Sequence, residues 1–337
     1  MIKVALIGAG KMGLSHLSIL GAHSDVEVVG VSDTSSLVLN VLKKITTFPC
    51  FTDYEEMLKK TQPDAVFVAV PTRFHSNIVK HVLNEGKHVF SEKPLCLTQE
   101  EGKELVNLAL KKQVINQVGY HNKFIGTFQE VKRIIDNGYL GQIFHFTGES
   151  YGPVIIRDKQ DNWRTDPSEG GGCLLDYASH VIDLINYILG PITKVKGSIL
   201  KSFYSKNVED SVFSLVELSS NVSGVLSVNW SDETYRKMST SLTIIGSKGK
   251  IICNAHELKV YFKTSSCPAN YSKGWNVKYI TDLTETVDFY LRGEEYSAQI
   301  DYFVKAIKRE VPNSINDFQS AWNTDKVISL IKSSINN

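Results

Sequence analysis

Gly8-Ala9-Gly10-Lys11-Met12-Gly13 is a G-x-G-x-x-G. It directly follows a β-rich apolar run, Ile2–Gly8, and opens a helical pattern, which is the context that gives the motif meaning. Gly8 would make the tight turn, Gly10 would leave room for a pyrophosphate against the backbone, and Gly13 would let the helix approach the sheet. The N–H groups at that helix start, around Lys11 and Met12, would bind the anionic diphosphate. Without a nucleotide the same triplet is simply a tight turn. Asp33 closes the next apolar run, twenty residues after Gly13. A carboxylate there can accept hydrogen bonds from adenosine ribose hydroxyls and repel a 2′-phosphate. No Arg or Lys follows in Thr34-Ser35-Ser36, so NAD is expected ahead of NADP. The competing role for Asp33 is a helix N-cap.

Three further groups of residues fall at expected strand or helix ends. Val70-Pro71-Thr72, with His75 nearby, ends one apolar run. Glu92-Lys93-Pro94 ends the next, so both groups would line the cofactor crevice. The third is Gly170-Gly171-Gly172-Cys173-Leu174-Leu175-Asp176-Tyr177-Ala178-Ser179-His180. Asp176 and His180 are four apart and would share a helix face, while glycines just before a helix let a ligand approach the backbone closely. As a metal pair, Asp176 and His180 lack a further His/Cys cluster, so no metal site is expected. Asp183 would either support the imidazole of His180 or serve as a structural carboxylate. Trp163-Arg164 would sit over a substrate or form a structural pair. Trp230, Tyr235 and Arg236 are candidates for lining a pocket, and Cys173 reads as a small packing residue.

These groups need a scaffold, and the first 120 residues alternate strand and helix patterns. Continuous apolar runs at Ile2–Gly8, Val26–Ser32, Ala65–Val70, His88–Ser91 and Val114–Val118 are separated by helical stretches. Such runs indicate a parallel sheet covered on both faces. Asp53 and Thr98 look like helix N-caps. After Tyr120 the pattern changes. A helix at 127–136 and a strand at 142–150 precede a loop rich in Gly, Pro and Asp, then one helix at 176–189. Consecutive strands from 194 to about 280 suggest an antiparallel sheet. Two helices, about 295–308 and 318–331, end the chain. The expected domains are 1–120 and 121–337, with the terminal helices free to pack back on the first.

Taken together, these stretches resemble the Gfo/Idh/MocA oxidoreductases, the family of glucose–fructose oxidoreductase and inositol dehydrogenase. The likeness also covers Gly86–Pro94, Gly119-Tyr120-His121-Asn122-Lys123-Phe124, and Trp163-Arg164. Ala178 stands where the family usually has Gly, and Asn122-Lys123 where many members carry an Arg. The resemblance implies an N-terminal Rossmann domain, a doubly wound parallel sheet, and a C-terminal α/β domain on a large open, mainly antiparallel sheet. It implies hydride transfer between a nicotinamide and a ring hydroxyl of a sugar, polyol or nucleotide-sugar. His180 would be general base, Lys93 would hydrogen-bond the same oxygen, and Asp176 would orient the substrate or Lys93. Cofactor contacts would come from Gly8, Gly10, Lys11, Met12, Gly13, Asp33, Val70, Pro71, Thr72, His75, Glu92 and Lys93. Substrate contacts would come from Tyr120, Asn122, Trp163 and Arg164. Relatives also include nicotinamide-dependent glycosidases and non-enzymatic sugar or NAD sensors, the latter often without the Lys and His. Asp288–Phe303 resembles members acting on nucleotide-linked sugars.

Composition narrows the classes. Among 337 residues, 37 Lys+Arg balance 36 Asp+Glu, so a basic nucleic-acid surface is not expected. The apolar fraction of 42% is enough to build cores. No apolar stretch approaches the roughly 20 residues of a membrane span. Five scattered cysteines without a C-x-x-C pair point to neither a disulfide scaffold nor a zinc site, and fit a cytoplasmic setting. A sheet open on one face needs covering, so a homodimer or homotetramer is expected.

Overall fold

The computed structural model describes residues 1–155, 163–287 and 293–336. They form two compact units, one of Met1–His121 with Val287–Trp322, the other of Asn122–Thr286 with Asn323–Asn337.

In the first unit, strands β1 (Ile2–Ile7), β2 (Val26–Ser32), β3 (Cys50–Phe51), β4 (Ala65–Val68), β5 (His88–Ser91) and β6 (Asn116–Val118) alternate with helices α1 (Lys11–Ala22), α2 (Ser36–Ile45), α3 (Tyr54–Thr61), α4 (His75–Asn84) and α5 (Gln99–Lys112). The strands pair in the order β3-β2-β1-β4-β5-β6, all parallel. β1 is flanked by β2 and β4, so the winding reverses there and opens a crevice at the strand carboxyl ends. Both sheet faces are apolar, as continuous hydrophobic strands require. Ala5, Ile7, Val66, Val68 and Val89 pack with Val79, Val82 and Leu83 of α4 and Leu105 and Val106 of α5. On the opposite face, Phe67 and Phe90 stack at 4.6 Å with Phe303 edge-on to both. Caps end the helices as the sequence suggests. Thr98 forms a reciprocal capping box with Glu101, and Asp53 accepts from Glu55 N.

In the second unit, helix α6 (Gly126–Asp136), strand β7 (Ile143–Tyr151) and helix α7 (Ser179–Leu189) precede strands β8 (Ile192–Lys201), β9 (Ser211–Leu218), β10 (Ser223–Asn229), β11 (Ser239–Gly246), β12 (Gly249–Asn254), β13 (Glu257–Phe262) and β14 (Gly274–Tyr279) and the short helix α8 (Ile280–Leu283). The order is β14-β13-β12-β11-β7-β10-β9-β8. Only β7 and β10 run parallel, and every other pairing is antiparallel. Alternation sets the faces. Val212, Val216, Leu226, Val228, Leu242, Ile244, Ile251 and Val260 point into a core shared with Val181, Leu184 and Ile185 of α7. Phe213, Leu215, Val225, Trp275 and Val277 are exposed on the other face.

One expectation changes here. The helix foreseen from Asp176 begins earlier, as a π-helical turn over Leu174–Ala178, and becomes α-helical only at Ser179. Residues 287–322 belong to the first unit, the packing back that the sequence left open for the terminal helices. Its helix α9 (Glu294–Ile307) buries Ile300, Phe303 and Val304 against Val4, Leu6, Phe67 and Phe90. Within Asp288–Phe303, residues 288–292 lie outside the described residues, as do residues 156–162 of the earlier loop.

Candidate active site

The glycine loop is built as its spacing requires. Gly8 has φ +93°, and a Cβ there would lie 2.4 Å from the Ala69 oxygen. A Cβ on Gly13 would lie 1.9 Å from the Gly8 oxygen. Both positions therefore exclude any side chain. Gly10 differs, for a Cβ there would meet nothing within 4 Å. The open volume lies at the N-cap of α1, where no side chain caps the helix and no acidic residue occupies the first turn. The Lys11–Gly13 start of α1 thus fits the diphosphate of a dinucleotide.

Asp33 does two things in this loop. One carboxylate oxygen accepts Ala9 N–H at 2.7 Å and the other accepts Ser35 N–H at 2.7 Å. The cap of α2 is Ser35, not Asp33. Each carboxylate oxygen has a second lone pair, so these bonds aim the group and leave it able to accept ribose hydroxyls.

Val70-Pro71-Thr72 follows β4 and turns into a 3₁₀ turn over Thr72–Phe74, at the carboxyl edge of the sheet. His75 is buried with both ring nitrogens on main-chain oxygens, Nδ1 to Pro94 at 2.8 Å and Nε2 to Val70 at 2.9 Å. Burial pushes its pKa down, against the upward pull of those oxygens. His75 thus lies between the turn at Pro94 and the loop after β4, donating through one ring nitrogen when neutral. Glu92 is also buried. Its Oε1 meets His16 Nε2 at 2.6 Å, and its Oε2 accepts Lys93 N–H at 3.2 Å. Burial would raise its pKa, but His16 and Lys93 hold the carboxyl below the ordinary range. Glu92 is thus fixed between α1 and the backbone of Lys93. Lys93 itself is half-buried at the end of β5. Tyr120 is fully buried just after β6, its carbonyl accepting from Asn316 Nδ2 at 2.7 Å.

In the second unit, Asp176 sits in the π turn and His180 in the first turn of α7, both buried. A π-helical turn inside a helix is a frequent mark of a functional site. Arg164 Nε donates to Asp176 Oδ2 at 3.1 Å, and its guanidinium lies 4.3 Å from the Trp163 ring centre. Arg164 thus joins the exposed Trp163 to the buried Asp176. Asn122 is buried, its Nδ2 3.5 Å from Thr240 Oγ1. Two of the glycines before α7 are approached by the protein itself. A Cβ on Gly171 would lie 2.4 Å from the Arg164 oxygen, and one on Gly172 2.4 Å from the Glu209 carboxylate. Glu209 in turn accepts Leu174 N–H at 2.8 Å. Burial and nearby carboxylates push the Cys173 thiol well up, so it packs as a neutral group. Trp230 is fully buried and donates to Asp210 Oδ1, which removes it from any pocket wall.

Two buried pairs were not anticipated. One is His16–Glu92. The other joins Asp183 Oδ1 to Lys123 Nζ at 2.8 Å, with the side chains 1% and 2% exposed. Asp183 was expected either to support His180 or to be structural, and its charged partner is Lys123. Among the described residues no group of three or more His, Cys, Asp or Glu could hold a metal ion, and no helix is long and apolar enough to cross a membrane.

Residues 2–120 match the model described as "Oxidoreductase family, NAD-binding Rossmann fold", and residues 128–252 match the GFO/IDH/MocA C-terminal domain. The chain belongs to the GFO/IDH/MocA oxidoreductase family. It is 30% identical to D-glucoside 3-dehydrogenase of Escherichia coli over 194 residues, 56% of this chain and 54% of that one. It is 25% identical to myo-inositol 2-dehydrogenase of Thermotoga maritima over 75% of each chain. The chain spans about half the length of several curated relatives that it matches. Its fold is shared with levoglucosan dehydrogenase in complex with NADH, at TM-score 0.86 and 21% identity over 99% of this chain and 96% of that one.

Proposed function

We propose that this protein is an NAD-dependent dehydrogenase that moves a hydride between the nicotinamide and a ring hydroxyl of a sugar, polyol or nucleotide-sugar. The observation that carries the reading is the glycine loop: closed around Gly8 and Gly13, open at Gly10, and flanked by the carboxylate of Asp33. The relatives that act on glucosides and inositol, and the shared fold of an NADH-bound levoglucosan dehydrogenase, support the substrate class. The nicotinamide accepts or gives the hydride. His180 takes the hydroxyl proton as carbon–hydrogen cleavage proceeds. Lys93 donates a hydrogen bond to the oxygen as it gains alkoxide character. Asp176, held by Arg164, orients what binds beside it. Asp33 favours NAD over NADP, since a 2′-phosphate would meet a carboxylate with no neighbouring Arg or Lys.

A contrast of two alanines tests the cofactor reading apart from folding. Gly10→Ala adds a methyl group where the fold has space, at a φ of −69° that alanine adopts freely. Its stability should stay within about 0.5 kcal/mol of the parent. NADH binding, followed by fluorescence, should weaken at least about tenfold, or 1.4 kcal/mol. Gly13→Ala instead forces a methyl group into the Gly8 carbonyl and should lose both stability and binding. Unchanged NADH affinity in Gly10→Ala would remove the diphosphate from this loop. Steady-state assays with NAD and a panel of sugars and cyclic polyols then identify the substrate. Sugar release without NADH accumulation would instead favour a glycosidase.

The open sheet face is where copies of this chain would meet. Ile199, Phe213, Leu215 and Val225 form one exposed apolar cluster, and Trp275, Val277 and Tyr279 another. Contiguous patches of this kind favour association. Sedimentation should show a dimer or tetramer, and a stable monomer at micromolar concentration would count against it.

A further inference from the structure

We propose that His16 and His75 are positioning residues for Lys93, tying the residues on either side of it to the two loops that would hold the cofactor. This rests on the reading of Lys93 as the lysine that meets the reacting oxygen.

Lys93 lies between two residues that are each fastened by a buried imidazole. On its N-terminal side, Glu92 meets His16 Nε2 at 2.6 Å and accepts the Lys93 main-chain N–H at 3.2 Å. His16 stands on α1, one turn beyond Gly13, and is 1% exposed. Its ring packs against Phe67 and Phe90, the aromatic pair of β4 and β5. Gly119 closes the other side of Glu92, for a Cβ there would lie 3.0 Å from the carboxylate. On the C-terminal side, the Pro94 carbonyl is 2.8 Å from His75 Nδ1, whose Nε2 is 2.9 Å from the Val70 carbonyl. A helix start that would grip the diphosphate and a strand end that would line the crevice thus share one rigid frame with Lys93. Both are buried and meet the residues that flank the lysine, so their effect on it passes through its backbone. A displacement of the order of 1 Å at a reacting group is enough to cost about 10²-fold in rate.

The test uses the full-length protein with His16→Leu and His16→Gln. Leucine fills the space without a donor, whereas the glutamine amide can still donate to Glu92. Two readouts are taken: kcat with the KM for NAD, and labelling of Lys93 by reductive methylation, read by mass spectrometry with and without NADH. His16→Leu should lower kcat about tenfold or more while the KM for NAD changes less than threefold. NADH should protect Lys93 in the parent and in His16→Gln, and fail to protect it in His16→Leu. Recovery of kcat in His16→Gln completes the case. Equal kcat in all three proteins, or a loss confined to NAD affinity, would overturn the positioning role. Labelling separates this from the functional reading. A parent that binds NADH without protecting Lys93 and turns over no sugar refutes the role of Lys93. Protection in the parent that survives in His16→Leu refutes only the role of His16.

Discussion

Lys93→Met is expected to lower kcat by about three orders of magnitude, near 4 kcal/mol of transition-state stabilisation, while leaving NADH affinity within a few-fold. Methionine keeps much of the length and the apolar stem of lysine and removes only the donor and the charge. The lysine is half-buried at a strand end, and its neighbours Glu92 and Pro94 are held by their own partners. The fold should therefore survive. The loss should fall on kcat, because a hydrogen bond to an oxygen that becomes more anionic strengthens as hydride leaves the carbon. Stopped-flow measurement of NADH formation, with NADH binding followed separately, distinguishes the two effects. Turnover at the parent rate in Lys93→Met would remove the lysine from the mechanism and leave only its fold-level placement.

The sequence made much of the scaffold legible because the signals are local. Apolar runs, glycine spacing and capping residues act within a few positions of one another, so the parallel sheet, the loop at Gly8–Gly13 and the caps at Thr98 and Asp53 could be read directly. Partners brought together by the fold could not. His16 and Glu92 are 76 residues apart, and they meet only once α1 packs its imidazole against Phe67 and Phe90 of β4 and β5. Lys123 and Asp183 pair only once α7 packs on the turn at 121–124. Glycines 171 and 172 carry the pattern of a ligand-binding loop, yet their missing side chains make room for Arg164 and Glu209. Spacing alone cannot distinguish a backbone approached by a ligand from one approached by its own chain. Similarly, Trp230 follows a strand as a pocket residue could, but its indole N–H is taken by Asp210, which also collects the N–H groups of Phe203, Tyr204 and Ser205.

The buried Lys123–Asp183 pair carries the other large effect, and here it concerns stability. Removing one partner strands a charge in the core. Asp183→Ala or Lys123→Met alone should cost about 3–5 kcal/mol, whereas Lys123→Met with Asp183→Leu should cost far less, since well-packed apolar replacements of buried pairs are often neutral or stabilising. The protonation of Asp183 points the same way. Burial pushes its pKa up to about 6, with Lys123 pulling against it. The carboxyl of the unfolded chain titrates near 3.9, so between about pH 4 and pH 6 the folded state binds the proton more tightly. Stability contributed by this group is then present at low pH and lost as pH rises through about 6, by at most about 3 kcal/mol. A pair placed there for stability would show the opposite slope. Urea unfolding of the parent and the double variant at several pH values between 4 and 7 measures it directly. The parent should lose ground to the double variant as pH rises, and a parent that gains ground instead would make the pair a net stabiliser. The pair joins α7, one turn past His180, to the turn that follows Tyr120, so the double variant also tests whether the two charges set that placement.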